Sequence, residues 1–386
     1  MTKKASTWFL YAIMGALLLT HCQTDPPASE RKPAKKREAQ FRISFDGKKR
    51  THPPQEDIYQ AAALDSLPLP LITPQVVKAL QDQMQLLDYT PLGSHRLKPG
   101  LTVDRLDLIK TVHLLLAWRH TYPYGLKDEL QLYRLSGEDQ RSNVLFTGYY
   151  SPVLDVSHTP TDRYRYPIYR RPRDWEGPFP TRREIEQDGA LDTLDLVVAW
   201  ADNKLDIYLM QIQGSGYVRY PNGEISYFSY DGTNRHPYRS MEKFLRSWEG
   251  PKPILYTLNG IQRFFRQSPQ LVDTVLFQNP SYTFFKPSTG EPHGAGSVSL
   301  TAGMSIAVDR RYIPLGSCLL AAVPVYDPAL KRVTGHEYRL LFAQDVGGVI
   351  KGPGHVDLYL GAGDEAQKKA ESLRHYGQLY LILPKK

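Results

Sequence analysis

Cysteine is nearly absent: the chain of 386 residues has two, Cys22 and Cys318. A disulfide framework therefore cannot hold this fold, which must stand on a packed core. Cys318 sits in the apolar stretch 315–323, where a buried, inert thiol is expected. Metal-ligand spacing is missing too. His236 and His293 have no Cys or His partner at the usual intervals, so no metal site is expected. The glycine-rich segment after Asp345 lacks the lysine-plus-hydroxyl ending of a phosphate loop. No cofactor is expected, and no internal repeat is visible.

No apolar run near the start is long enough to span a bilayer comfortably. Lys3 and Lys4 precede a nearly unbroken apolar run, Trp8 to Leu19, of signal-peptide length. It ends in Leu19-Thr20-His21-Cys22, which resembles the lipobox of bacterial lipoproteins, with His21 departing from the small residue usual there. The expectation is a signal peptide over 1–21 and lipidation at Cys22, with an ordinary secretory signal as the alternative. Gln23, where an Asp would favour inner-membrane retention, points to the outer membrane, facing the periplasm. Residues 22–55 are rich in proline and in basic clusters such as Lys35-Lys36-Arg37, and read as a flexible tether. Much of the formal charge of +8 lies there. That suits an anionic membrane or cell wall, whereas nucleic acid is a poor partner for an exported chain.

The remaining residues suffice for two domains. Val76, Leu80, Met84 and Leu87 recur at helical spacing within 73–89, as do Leu108, Val112, Leu115 and Trp118 within 103–122. Beyond Tyr150 the texture turns to β: 194–200, 206–220 and 224–230 are rich in β-branched and aromatic residues and separated by turn signals. A short amphipathic segment follows at 241–248. From Asn279 onward mostly short strands and glycine turns are expected, then a helix over 364–376 capped by Gly377 and a final apolar strand over 378–383. The chain reads as mainly β with a few helices. Its 25 tyrosines suit sugar faces, but they suit ordinary strands better.

The densest cluster of candidate chemistry is Ala343-Gln344-Asp345-Val346-Gly347-Gly348, followed by Gly354-His355-Val356-Asp357-Leu358-Tyr359. Strand alternation puts Asp357 and His355 on one face, with Val356 and Leu358 on the other. A carboxyl at the floor of a partly apolar cleft should have a raised pKa, as a general acid requires. A lone Asp more often caps a turn, and His355 reads more safely as packing than as a tuning group. Upstream lies Leu300-Thr301-Ala302-Gly303-Met304-Ser305-Ile306-Ala307-Val308-Asp309. These blocks resemble the three-aspartate domain, with Asp309, Asp345 and Asp357 as its acids in order. Further blocks are Phe146-Thr147-Gly148-Tyr149-Tyr150, Tyr166-Pro167-Ile168-Tyr169-Arg170-Arg171, Gln211-Ile212-Gln213-Gly214-Ser215-Gly216-Tyr217, Tyr230-Asp231-Gly232-Thr233-Asn234 and Asn279-Pro280-Ser281. The whole set, over roughly residues 60–384, is similar to the membrane-bound lytic murein transglycosylase A family.

That resemblance implies a barwin-like double-psi β-barrel, split as 56–151 plus 289–386, with a second β-domain inserted over 152–288 and the glycan groove between them. It implies Asp357 as the catalytic acid, Asp345 as a second acid shaping or polarising the site, and Asp309 as structural. Thr147, Gly148, Gln213, Gly214 and Ser215 would line the groove, and one of Arg170 and Arg171 could meet substrate carboxylates. The implied activity cuts the β-1,4 bond between N-acetylmuramic acid and N-acetylglucosamine in peptidoglycan. One acid suffices because the substrate's own C6 hydroxyl closes a 1,6-anhydro ring. A hydrolase using Asp345 to activate water, or a non-catalytic wall-binding lipoprotein, are the alternatives. Protein partners are not legible.

Overall fold

A computed structural model describes residues 56–64, 67–89, 94–97, 101–118, 126–256 and 258–386. The expected leader, the tether and Cys22 lie outside these residues. The chain begins with β1 (Tyr59–Ala62), α1 (Pro74–Tyr89), the hairpin β2 (Ser94–Leu97) and β3 (Leu101–Asp104), and α2 (Arg105–Trp118). Both long helices form for the reason their spacing suggests. Pro74 occupies the first turn of α1, where the Thr73 hydroxyl accepts from the Val76 amide. Val76, Leu80 and Leu87 are buried along one stripe of α1, and Leu108, Val112, Leu115 and Trp118 along one of α2.

Next come α3 (Leu126–Glu129), β4 (Leu130–Leu135) and β5 (Val144–Ser151). The chain then builds a separate six-stranded sheet: β6 (Val153–Ser157), β7 (Tyr166–Tyr169), α4 (Arg182–Glu186), β8 (Val197–Ala201), α5 (Lys204–Gln213), β9 (Gly216–Arg219), β10 (Ile225–Thr233), α6 (Met241–Ser247), α7 (Leu258–Gln267), α8 (Val272–Leu276) and β11 (Thr283–Ser288). Its strand order is β11-β10-β9-β6-β8-β7. The chain returns through β12 (Ser305–Ala307), β13 (Cys318–Asp327), β14 (Arg332–Asp345), β15 (His355–Ala362), α9 (Gly363–Ser372) and β16 (Arg374–Pro384).

These last strands, with β5, close a barrel. The sheet order β16-β13-β14-β12-β15-β5 returns on itself because β5 also pairs with β16. β5–β15 and β12–β14 pair in parallel, and the other barrel neighbours are antiparallel. β4 and β1 extend the sheet beyond β16. Phe146, Ile306, Leu319, Phe342, Val356, Leu358 and Leu381 fill the interior and join the buried faces of α1 and α2 in one core. The fold is mainly β, a double-psi barrel with a second β-domain inserted, as the sequence suggested. The buried thiol of Cys318 opens β13, and burial pushes its pKa up.

Three local expectations are corrected. Residues 206–220 do not form one strand: the first part is α5. Asn203 is its N-cap, accepting from the Leu205 amide, and Gly214 ends it in the left-handed region at φ 84°. Tyr208, Met210 and Gln211 bury against neighbours on more than one side, which hides the helical period. The late helix stops at Ser372, and Gly377 is no cap: it lies in β16 opposite Val144. There a Cβ would stand 2.2 Å from the Ala322 carbonyl oxygen and 2.7 Å from the Phe146 ring. Gly377→Ala is expected to cost about 1–3 kcal/mol through overpacking, read as a lowered thermal midpoint. The later strands are also not all short, since β13 has 10 residues and β14 has 14.

Candidate active site

The barrel places five residues in one lateral row. Ala307 of β12 is paired with Asp345 of β14 on one side and with Asp357 of β15 on the other. Asp357 is in turn paired with Thr147 of β5, and Thr147 with Arg374 of β16. Neighbouring strands lie about 4.8 Å apart, so the two aspartates sit roughly 10 Å apart at the backbone with only a methyl between them. A register shift between Ile306 and Ala307 skips Gln344 and brings Asp345 into the row. Val356 and Leu358 point into the core, so Asp357 and His355 share the outward face, as alternation requires.

The two carboxylates have different surroundings. Among the described residues, Asp357 accepts one hydrogen bond, at Oδ1, 2.7 Å from the Thr147 hydroxyl. Asp345 accepts three: the Ala295 and Val346 amides each donate to Oδ1 at 2.8 Å, and the Tyr149 phenol donates to Oδ2 at 2.9 Å. Burial is the main cause pushing Asp357 up to about 6; the Thr147 bond works against it, and the nearby Asp345 charge adds to it. Burial also raises Asp345, opposed by its three donors. The carboxyl with the single donor is the better proton holder, and the triply bonded one the better fixed anion. Burial, with the Arg374 charge second, holds the His355 imidazolium below its ordinary range. Its Nε2 lies 3.0 Å from the Thr147 hydroxyl.

Asp309 is apart from this pair. Its carboxylate binds the Arg311 guanidinium and accepts from the Gly352 amide at 2.9 Å. The Arg311 bond holds it well below the usual carboxylate range, and the contact pins the glycine-rich loop between β14 and β15. Among the groove candidates, Thr147 stands beside Asp357. Gly148 faces the opposite side of β5, where a Cβ would meet Leu360 and Ala370 of α9, so only its backbone is left for the outward face. Gln213, Gly214 and Ser215 close α5 and lead into β9, and the Gln213 side-chain oxygen reaches the Tyr150 amide at 3.5 Å.

Arg170 and Arg171 are held within the inserted sheet. Arg170 donates to the Asp195 carbonyl at 2.8 Å, and the Arg171 guanidinium lies over the Phe179 ring at 5.2 Å. His236 contacts the Phe179 carbonyl, and His293 that of Glu291. Among the described residues, no three His, Cys, Asp or Glu side chains gather as metal ligands.

Sequence reasoning missed the aromatic wall. Tyr149 and Tyr359 have ring centroids 5.3 Å apart, and Tyr217 and Tyr227 of the insert 5.4 Å apart. The Tyr359 phenol contacts Ser151 at 3.1 Å and senses Tyr217 and Tyr227 electrostatically. Tyrosine was conspicuous, but only pairing registers show which of the 25 converge. The loop donor Ala295 was also missed. The flanking Gly294 and Gly296 were its signal: a side chain would collide with the Gln344 carbonyl at the first and with Leu86 at the second.

Residues 145–286 match the family described as MltA specific insert domain, and residues 304–383 match the 3D domain. Membrane-bound lytic murein transglycosylase A of Escherichia coli (strain K12) is 39% identical over 256 residues, covering 66% of this chain and 69% of that protein. Its counterpart from Vibrio cholerae is 36% identical over the same shares. Among solved structures, E. coli MltA with bound chitohexaose superposes with a TM-score of 0.74 at 29% identity, covering 90% of this chain and 99% of that one. The Agrobacterium tumefaciens membrane-bound lytic murein transglycosylase gives 0.66 at 27% identity, over 80% and 92%. The barrel and its insert, together with these relatives, define an enzyme of the lytic transglycosylase class. The chain belongs to the membrane-bound lytic murein transglycosylase A family.

Proposed function

We propose that the protein cleaves the β-1,4 bond between N-acetylmuramic acid and N-acetylglucosamine in peptidoglycan and leaves 1,6-anhydromuramic ends. The observation that carries this reading is the asymmetry of the acids: Asp357 has one hydrogen-bond donor and sits near pKa 6, beside an Asp345 that has three. Protonated Asp357 gives its proton to the glycosidic oxygen as the C1–O bond breaks. Positive charge develops at muramic C1, where the fixed Asp345 carboxylate stabilises it. Asp357, now a carboxylate, takes the proton of the C6 hydroxyl as that oxygen bonds to C1. The proton count closes without water, and the intramolecular attack gains from proximity.

The glycan would lie between barrel and insert, against Thr147, the Gly148 backbone and the Gln213-Gly214-Ser215 turn. That the E. coli relative is known with bound chitohexaose supports a glycan as the ligand. The proposed division is a barrel domain of 56–151 plus 289–386 and an inserted domain of 152–288, supported by the end of β5 at Ser151 and of β11 at Ser288, with 1–21 as the proposed leader and 22–55 as the proposed tether. Cys22 is the proposed lipid attachment, giving an outer-membrane protein that faces the periplasm. The relatives are named membrane-bound, and among the described residues no helix is long and apolar enough to cross a membrane. Loss of fatty-acid label in Cys22→Ser would establish the anchor.

Mass spectrometry of peptidoglycan digested by a soluble form starting after Cys22 tests the reaction. Products one water lighter than hydrolytic muropeptides are expected. Reducing-end products would instead favour the hydrolase, and no cleavage by a folded, glycan-binding protein would favour a wall-binding role. A second measurement is the pH profile. The first step needs protonated Asp357, so kcat/KM should fall as pH rises through about 6. A profile flat from pH 5 to 8 would remove Asp357 from the acid role.

A further inference from the structure

We propose that His355, acting through the Thr147 hydroxyl, dictates which oxygen of Asp357 carries the transferable proton. The inference rests on the reading of Asp357 as the acid. Thr147 Oγ1 lies between two partners, 2.7 Å from Asp357 Oδ1 and 3.0 Å from His355 Nε2. The parallel register of β5 and β15 creates this placement: Thr147 is level with Asp357, and His355 is two residues earlier on the same face.

A hydroxyl has one proton to give, so the chain has two arrangements. In one, Nε2–H donates to Thr147 and Thr147 donates to Oδ1. In the other, a proton on Oδ1 points at Thr147, whose own proton turns to a bare Nε2. The second is unproductive, because the acid proton faces the barrel wall instead of the substrate. A neutral His355 with its proton on Nε2 selects the first arrangement and leaves the acid proton for Oδ2, which makes no hydrogen bond among the described residues.

Two further features hold this state. Arg374, across β5 from Asp357, adds to burial in disfavouring the imidazolium. Thr147 is β-branched, which restricts the swing of its hydroxyl. Among the described residues, the charged or titratable groups beside the relay are Asp345 of β14, Tyr149 of β5, Arg374 of β16 and, level with His355 through Leu145, Tyr376 of β16, while β12 presents Ala307 in the row. His355 is thus a positioning residue, since it touches Thr147 and not the reacting bond.

The test is a double-mutant cycle in the soluble protein digesting peptidoglycan, with pH profiles. His355→Leu should lower kcat roughly tenfold, as loss of one hydrogen bond in the reacting state would. It should also shift the alkaline limb to higher pH, because a weakened Thr147 bond stabilises the carboxylate less. In a Thr147→Val background the same change should cost under about twofold, since the link is already cut. His355→Gln, which keeps an N–H donor, should recover most of the rate. The relay is overturned if the His355 and Thr147 effects multiply independently, if the limb does not move, or if His355→Gln falls as far as His355→Leu. Asp357→Asn is the separate control: its retaining activity would overturn the acid assignment itself, whereas failure of the cycle with Asp357→Asn inactive overturns the relay alone.

Discussion

Asp357→Asn should cut turnover of peptidoglycan by about 10²–10⁴-fold, the usual contribution of a positioned acid and base. The amide keeps the shape and can still accept from Thr147, but it can neither give nor take the proton. The same substitution should stabilise the fold, and the sign follows from linkage. The folded carboxyl titrates near 6, against an ordinary value of 3.8. Between those values the folded chain holds more protons than the unfolded one, so stability falls as pH rises through that window. Asparagine suffers no such loss. Asp357→Asn should therefore gain about 1–3 kcal/mol at pH 7 and almost nothing at pH 3, measured by urea unfolding at both. An equal gain at both would mean that ionisation of this carboxyl is not what strains the fold.

The largest loss of stability should follow Arg182→Ala. Arg182 of α4 is 1% exposed yet charged. Its guanidinium binds the Glu186 carboxylate at 2.6 Å, the Gln211 side-chain oxygen at 2.5 Å and the Ser281 carbonyl at 2.7 Å. It also lies over the rings of Tyr208 and Tyr282, 4.6 and 5.3 Å from their centroids. One side chain thus joins α4, α5 and the segment entering β11. Removing it leaves Glu186 buried with, among the described residues, Lys204 as its one cation at 3.8 Å, and breaking such a pair typically costs about 3–5 kcal/mol. Burial already raises the Glu186 pKa, so the orphaned acid should take up a proton. Unfolding of Arg182→Ala should thus be less deficient at pH 5 than at pH 8. Arg182→Met with Glu186→Gln should recover part of the loss; if it recovers none, the aromatic and carbonyl contacts outweigh the ion pair.

How much of this the sequence carried depends on how local each cause is. The stripes of α1 and α2 were legible because one face of each meets the core. The outward face of Asp357 and His355 was legible because strand alternation depends on nothing distant. α5 was misread because its apolar residues face several partners, and the end of α9 because Gly377 answers to Ala322 and Phe146, both far away in sequence. The raised pKa of Asp357 could be anticipated, but the three donors that distinguish Asp345 could not. They come from β5, from the loop before β12 and from its own turn, and only the closed barrel assembles them.

β16 has a consequence for how the molecule forms. It pairs with β5 through 374–377, with β13 through 378–381 and with β4 through 380–384, so among the barrel strands it is the one latest in chain order that shuts the ring. Until it arrives, β5 and β13 each expose an unpaired edge, a template for wrong pairing. The partners of β16 in β4 and β5 lie more than 200 residues upstream, a separation that slows search and raises the entropy of closure. The inserted sheet, complete by β11, has no such wait. The chain should therefore acquire the insert first and the row from Asp345 to Arg374 last, so that a nascent or truncated molecule lacking β16 has not assembled the proposed acid site.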